Sequence, residues 1–189
     1  YLQQPMQGHA KIFTPDDLMN GNLPTGKVLI YDDDHYYMGG VLAELLATNG
    51  CEVTLMTPAP TISAWTEYTL EQNRVYKKLL DLNVTLLTHH TIASLSPTTA
   101  TVTHTITLLE TTLPCDAIVM VTDRIPNNSL YHELKPALAE GKIKSLRIIG
   151  DAEAPNIIAQ AVFAGHLAAR EFDEVINPDE TPFKVVRHM

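Results

Sequence analysis

The stretch Lys27–Pro58 decides the fold, and it reads KVLIYDDDHYYMGGVLAELLATNGCEVTLMTP. It opens on a nearly continuous apolar run, which is typical of a strand covered on both faces of a parallel sheet. Apolar residues then recur at helical spacing as far as Asn49-Gly50, where a helix is expected to end. A second apolar run stops at Pro58. The stretch therefore predicts a strand–helix–strand unit, about the size of a βαβ crossover.

The rest of the chain continues this alternation. Apolar spacing predicts three further elements: a helix over 64–82, a strand over 83–88 and a strand over 116–122. Residues 101–108 alternate apolar and polar side chains, which predicts a strand with one buried face, formed by Val102, His104, Ile106 and Leu108. With a short strand at 92–95, residues 92–116 therefore predict a small antiparallel β-meander between parallel strands. A last strand at 146–149 leads into a helix that opens at Pro155. The expected fold class is α/β, with a Rossmann-like, three-layer parallel sheet and an inserted antiparallel β-meander.

Four segments are expected along the chain. Residues 1–26 are rich in Gly, Pro, Asn and Gln, so they predict a linker arm with a short helix at Pro15–Met19. Residues 27–144 should form the main domain. Residues 145–176 should supply a returning strand and helix of a second domain, and residues 177–189 a tail without periodicity.

Composition excludes several classes of partner. The net charge is −9 and there is no basic stripe, so neither nucleic acid nor an anionic membrane surface is expected to bind. No apolar run approaches the roughly 20 residues of a membrane span. Cys51 and Cys115 lie far apart in apolar stretches, which is typical of free thiols and favours a reducing, cytoplasmic compartment. No CxxC motif is present, so no metal or iron–sulfur site is predicted in this chain.

The turn after the first strand is where a dinucleotide would bind. In doubly wound folds, glycines at this turn let the backbone approach a pyrophosphate at the helix N-terminus. Here Asp32 and Asp34 stand where glycines are expected, and carboxylates oppose a diphosphate. The acidic ribose anchor at the end of the second strand is also missing, since Thr57 and Pro58 occupy that place.

The three consecutive aspartates allow two interpretations. Asp32, Asp33 and Asp34 form a cation site, or they cap the helix and face solvent in a degenerate nucleotide fold. The second is favoured, because consecutive residues cannot all point at one ion without a special turn. The residues that would line the remaining weak NAD(P)-like site are Gly39, Gly40, Thr57 and Arg124.

A second candidate site lies at Gly150-Asp151-Ala152, where the last strand meets a helix. Asp151 could accept hydrogen bonds from ribose or ribityl hydroxyls, or it could cap the helix, and spacing alone favours neither role. Arg124 follows a predicted strand, where it could meet an anionic cofactor or an interface carboxylate. No Ser–His–Asp or Cys–His arrangement is evident, so no catalytic residue is predicted.

Four segments of the chain resemble one protein family. They are the stretch quoted above, WTEYTLEQNRVYKKLLDLNV, DAIVMVTDRIPNNSLYHELK and LRIIGDAEAPNIIAQAVFAGHLAAREFDE. Together they resemble the C-terminal part of trimethylamine, dimethylamine and histamine dehydrogenases, which are similar in turn to the dienoyl-CoA reductase branch of old-yellow-enzyme-related flavoproteins. The resemblance covers about residues 16–175, and Ile149–Glu171 is its most specific part.

The resemblance implies a larger parent enzyme. Such a parent has a barrel that carries FMN and a 4Fe-4S cluster, followed by domains that resemble the FAD and NAD(P)H domains of disulfide oxidoreductases. Residues 27–122 correspond to the NAD(P)H-like domain, and residues from about 145 correspond to the FAD-like domain, which holds ADP in the amine dehydrogenases. Gly150, Asp151 and Ala152 match the family's GDA segment and are therefore expected to line half of an ADP or FAD pocket.

The expected function is that of a largely structural, degenerate nucleotide-binding region. The parent would oxidatively demethylate or deaminate a small amine, and the fragment itself would bind no cofactor. Its expected partners are the missing N-terminal barrel and FAD/ADP-like domain of the same polypeptide, together with a second copy through self-association. The alternative is a working NAD(P)H-binding domain of a dienoyl-CoA reductase-like NADH:flavin oxidoreductase.

Overall fold

A computed structural model describes residues 11–172 of the chain. The chain divides into two compact units, one ending at Asp123 and the other beginning at Arg124. In the first unit the strands are β1 Ile12–Phe13, β2 Lys27–Asp32, β3 Glu52–Met56, β4 Thr85–Leu87, β5 His90–Leu95, β6 Thr99–His104, β7 Glu110–Pro114 and β8 Ala117–Val121. Its helices are α1 Pro15–Met19, α2 Met38–Thr48 and α3 Gln72–Asp81.

Five strands form a parallel sheet in the order β1-β8-β2-β3-β4. The central strand β2 pairs with β3 on one side and with β8 on the other, so the predicted strand–helix–strand unit is confirmed. Tyr31 lies opposite Met56 in the register of β2 and β3. The turns that follow these two strands therefore emerge side by side at the carboxyl edge of the sheet.

The parallel sheet is buried on both faces. Val28 and Ile30 of β2 belong to an apolar cluster that includes residues of α2 and α3, whereas Leu29 belongs to a second cluster with Ala100 and Val102 of β6. Side chains alternate between the two faces of a strand. The first unit thus has three layers: helices, the parallel sheet, and an antiparallel sheet of β5, β6 and β7. The predicted α/β class with an inserted antiparallel meander is confirmed.

Residues 12–19 differ from the expected linker arm. β1 pairs with β8 and completes the edge of the parallel sheet, and the predicted helix α1 follows it. Thr14 and Asp17 form a capping box at the start of α1, and Leu18 is buried in the core. The linker expectation was wrong here because a two-residue strand and one buried leucine carry too little periodicity to be recognised.

The helix expected over 64–82 is interrupted. Ala64–Glu67 forms a short 3-10 turn, and α3 begins only at Gln72. Leu70 adopts a left-handed conformation with φ 60°, and the Glu71 amide closes the turn by donating to the Thr66 carbonyl over 3.0 Å. The Thr66 hydroxyl also bonds a backbone carbonyl, that of Ser63, so local hydroxyl bonding competes with the helix.

The β-meander differs from expectation in its boundaries. The strand expected over 101–108 ends at His104, and the chain turns before β7, a strand that the sequence reading did not separate. The Ile106 and Leu108 side chains, expected on the buried face, are 69% and 73% exposed. The alternating pattern therefore continues past the residue at which the strand ends.

The second unit contains α4 Ser129–Ala139, a 3-10 turn at Gly150–Ala152, and α5 Ile158–Arg170. The strand expected at 146–149 does not form, because no described strand of this unit is available to pair with it. Of the residues described in α4 and α5, none is buried. Ile158, Val162 and Phe163 expose between 50% and 83% of their surface, so the apolar side of α5 is largely exposed in the described part of the chain.

We expect the core beneath α2 to dominate the stability of the first unit. Leu42→Ala should lower the free energy of unfolding by about 2–5 kcal/mol, because the Leu42 side chain is 0% exposed and its removal leaves a cavity. The matched control Leu80→Ala, at a site that is 58% exposed, should change it by less than about 1 kcal/mol. Denaturant unfolding checks both, and equal losses would contradict this account of the core.

Candidate functional site

The turn from β2 to α2 forms around the buried carboxyl group of Asp32. The Asp32 side chain is 0% exposed at the carboxyl end of β2. Its Oδ1 accepts hydrogen bonds from the backbone amides of Asp34, at 3.2 Å, and His35, at 3.1 Å. These two bonds fold the chain back over the strand end, so this aspartate shapes the turn instead of facing solvent, contrary to the expectation from sequence.

Asp32 also lies against the first turn of α2. A Cβ atom placed on Gly39 would lie 2.4 Å from Asp32 Oδ2, so only glycine fits beside this carboxyl group. Oδ2 is buried and finds no hydrogen-bond partner among the described residues. The glycine expected to let a phosphate approach the helix is thus covered by the protein's own acid.

The second glycine of the helix is covered as well. A Cβ on Gly40 would lie 3.3 Å from Ser63 Oγ and 3.1 Å from Val75 Cγ1. Ser63 is buried in a left-handed conformation, and its hydroxyl has no partner among the described residues. Two side chains from outside the helix therefore close over its first turn.

Burial controls the charge of Asp32. Removal from water raises the pKa of its carboxyl group to about 7, and the neighbouring Asp34 and Asp33 charges add to the rise. The His35 and Asp34 amides oppose it by bonding the charged form. Near neutral pH this carboxyl is therefore divided between its protonated and ionised forms.

A second polar chain links the turn to the next strand. The His35 Nε2 atom lies 3.2 Å from Asp33 Oδ1, and His35 Nδ1 lies 3.2 Å from Thr57 Oγ1. Thr57 is 0% exposed at the carboxyl end of β3. Partial burial raises the pKa of Asp33, and the adjacent His35 opposes that rise. This link could not be predicted from sequence, since it depends on how β2 and β3 align.

The predicted residues of the weak NAD(P)-like site fall in different parts of the structure. Gly39, Gly40 and Thr57 all lie around the β2–α2 turn in the first unit. Arg124 begins the second unit. Sequence reasoning missed Ser63 and His35, which cover or cross this turn.

The second candidate site lies wholly in the second unit. Gly150 has φ 60°, a left-handed conformation that favours glycine, and it opens the 3-10 turn that contains Asp151 and Ala152. Asp151 Oδ1 accepts from the Asn156 amide at 3.3 Å, just before α5. Gly150 and Asn156 line a cavity of ≈ 170 Å³. Asp151 therefore holds the chain at the helix entrance while its turn borders a concave surface.

Three histidines lie close together elsewhere in the first unit. The ring centroids of His90 and His104 lie 4.9 Å apart, and those of His89 and His104 lie 5.8 Å apart. Within residues 11–172, no group of three His, Cys, Asp or Glu side chains has a metal-binding arrangement. Neither Cys51 nor Cys115 forms a disulfide, and burial raises the pKa of both thiols. No helix in the described range is long and apolar enough to cross a bilayer.

Comparison with known proteins gives this geometry a context. Residues 13–105 match the family of the OYE-like second alpha/beta domain. Dimethylamine dehydrogenase from Hyphomicrobium sp. (strain x) is 30% identical in an alignment of 201 positions, which covers 92% of this chain and 26% of that protein. Histamine dehydrogenase from Rhizobium sp. 4-9 superposes with a TM-score of 0.86 at 36% identity, over 98% of this chain and 29% of that one. The chain belongs to the family of these amine dehydrogenases.

A third amine-metabolising relative supports the same family. The 6-hydroxypseudooxynicotine amine oxidase from Pseudomonas geniculata N1 superposes with a TM-score of 0.82 at 35% identity, over 86% of this chain and 24% of that one. The present amine dehydrogenase homologue thus spans about a quarter of the length of the relatives it matches.

We expect Asp32 to make the stability of the first unit depend on pH. Its folded-state pKa of about 7 lies above the ordinary aspartate value of 3.8, so the folded chain keeps a proton that the unfolded chain releases. The contribution of Asp32 to the free energy of unfolding is therefore fully present below about pH 4 and is lost as the pH rises through about 7. Asp32→Asn, which does not ionise, should become more stable than the wild type by up to a few kcal/mol at pH 8.

Urea unfolding from pH 4 to pH 8 measures this difference. Asp16→Asn is the control, because Asp16 lies exposed on α1 and the same substitution there should leave the pH dependence unchanged. A stability difference between wild type and Asp32→Asn that stays constant over this pH range would show that Asp32 titrates normally.

Proposed function

We propose that this chain is a largely structural, non-catalytic region of an amine dehydrogenase-type oxidoreductase, and that its β2–α2 turn binds no dinucleotide. The observation that carries the proposal is the buried Asp32 carboxyl on Gly39. A phosphate at this place must come close to the helix backbone. The carboxyl group fills that space.

Electrostatics support the same conclusion. A diphosphate bound here would meet Asp32, Asp33 and Asp34 within one turn. Bringing further negative charge to a half-buried cluster of acids costs more than it would in water, because the low local dielectric weakens screening. The positive N-terminal end of α2 already faces the protein's own carboxyl group, so it offers little to compensate.

The names of the relatives suggest the chemistry of the parent. They act on dimethylamine, histamine and a hydroxylated pseudooxynicotine amine. We propose that the parent oxidises a small amine by demethylation or deamination, with FMN and a 4Fe-4S cluster bound outside this chain. The described residues do not fit the cluster, since Cys51 precedes β3 whereas Cys115 lies between β7 and β8, and no group of three His, Cys, Asp or Glu side chains is arranged to bind a metal.

An ADP half-site is the one cofactor role that we assign to the chain. The left-handed Gly150, the exposed Asp151 carboxylate and the adjacent cavity of ≈ 170 Å³ fit one side of a ribose-containing ligand. The other side would come from the FAD/ADP-like domain of the same polypeptide. We propose that residues 145–176 are the piece of that domain that this chain contains. We also propose a cytoplasmic location for the protein, because Cys51 and Cys115 are thiols and not joined in a disulfide.

Nucleotide titration tests the proposed role of the β2–α2 turn. NADH and NADPH should show no saturable binding to the 189-residue chain below millimolar concentration, measured by calorimetry. ADP should bind weakly at most. Asp151→Asn should abolish any binding of ADP, whereas the matched control Asp32→Asn should leave it unchanged. Micromolar NADH binding to the wild type would instead establish the working NAD(P)H domain of an NADH:flavin oxidoreductase.

We also propose that the chain self-associates when it is separated from the rest of the polypeptide. Its α5 exposes Val162 by 53%, Phe163 by 50% and Ile158 by 83%, an apolar surface of the kind that interfaces cover. Light scattering after size exclusion should detect dimers or larger species, and Val162→Asp should shift them towards monomer. Thr111→Asp on β7 is the control at an exposed site. A wild type that stays monomeric at high concentration would count against this surface.

A further inference from the structure

We propose that the β2–α2 turn is a latent dinucleotide site, closed by two side chains that we call the latch. In the latch the His35 imidazole crosses to Thr57 over the ribose position, and the Asp32 carboxyl fills the diphosphate position. This inference rests on the proposed function, because it assumes that the wild-type turn binds no dinucleotide. It adds the contact that closes the site, the ligand class that opening would admit, and the residues that must change.

The first argument concerns position. In doubly wound sheets the diphosphate lies at the turn after one strand, and the ribose lies at the carboxyl end of the neighbouring strand. Here those places are the turn after β2 and Thr57 after β3, which adjoin because the two strands pair in parallel. His35 leaves the first turn, and its Nδ1 reaches Thr57 Oγ1 at 3.2 Å. The imidazole therefore spans the gap that a ribose would occupy.

The second argument is that the hydrogen bonds of the latch are complementary. Thr57 Oγ1 accepts from the Ala59 amide at 3.3 Å, which leaves its hydroxyl proton available to His35 Nδ1. A carboxylate only accepts, so Asp33 Oδ1 requires the proton of the imidazole on Nε2. One neutral tautomer, protonated at Nε2, satisfies all three side chains at once.

The third argument is backbone strain. His35 has φ 60°, a left-handed conformation that costs most side chains on the order of 1 kcal/mol and costs glycine nothing. Its backbone is fixed at both sides: the amide donates to Asp32 Oδ1 and the carbonyl accepts from the Trp65 amide at 2.9 Å. An imidazole held at a glycine-like position indicates that its side-chain contacts outweigh the strain.

The fourth argument concerns the helix end itself. Asp32 Oδ2 is buried against Gly39 and has no hydrogen-bond partner among the described residues, so this oxygen covers the first turn of α2 while Oδ1 binds the Asp34 and His35 amides. Replacing Asp32 with glycine would restore the residue type that a dinucleotide turn uses at this position. Gly39 and the first turn of α2 are already present beneath it.

The latch can be tested in the wild-type chain without any substitution. Nitrogen-15 NMR of the imidazoles at pH 8, with His35 assigned by comparison with His35→Gly, reports which ring nitrogen carries the proton. We expect His35 to be fixed in the tautomer protonated at Nε2, with Nδ1 accepting a hydrogen bond. A His35 ring protonated at Nδ1, or one that exchanges freely between tautomers as an exposed histidine does, would overturn the proposal.

The latent site is tested with the double variant Asp32→Gly/His35→Gly of the full chain. The chain contains a single tryptophan, Trp65, whose backbone contacts His35, so energy transfer from it to bound NADH reports binding at this turn. We expect the double variant to bind NADH at least tenfold more tightly than the wild type. The matched control Asp34→Gly removes a charge from the same turn and leaves the latch closed, so any gain in its NADH affinity should stay well below that of the double variant.

The outcomes separate this inference from the function proposed above. Saturable micromolar NADH binding by the wild type would contradict both the latent site and the proposed function. If neither the wild type nor a double variant that folds, as judged by circular dichroism, binds NADH, only the latent site is contradicted. If the double variant does not fold, the His35 tautomer in the wild type decides the question. Equal gains in the double variant and in Asp34→Gly would show that charge alone, and no latch, excludes the nucleotide.

Discussion

The contact between the Asp32 carboxyl and Gly39 is the constraint on which the candidate site depends. It fixes the direction in which the chain leaves β2, because the same carboxyl binds the amides of the turn through its other oxygen. It also sets the entry of α2 onto the sheet, since no side chain larger than hydrogen fits at Gly39. The direction of the turn and the covering of the helix end are therefore both consequences of one packed side chain.

The sequence predicted those parts of the fold that rest on periodicity. The β2–α2–β3 unit was found because three elements with clear periods follow one another over a short distance. The break near Leu70 was missed because it arises from hydroxyl and amide bonds within one turn. The prediction of a strand at 146–149 was wrong because a strand forms only when a neighbouring strand pairs with it, and the sequence of one segment does not show whether such a neighbour exists.

The candidate site could be predicted only in outline. Aspartates in place of glycines indicated that a diphosphate would be opposed, and that inference needed residue types alone. The covering of Gly40 by Ser63 and the crossing of His35 to Thr57 depend on which residues the register of two strands brings together. The family resemblance predicted a role for Gly150–Ala152, whereas the bond from the Asn156 amide to Asp151 could be seen only in the structure.

The buried acid has a thermodynamic consequence for handling the protein. Since the Asp32 pKa lies near 7 in the folded chain and near 3.8 when unfolded, folding at neutral pH draws about half a proton from the buffer. The heat measured on unfolding then includes the ionisation heat of whichever buffer accepts that proton. Enthalpies recorded in phosphate and in Tris will differ for this chain, although its contacts are the same in both.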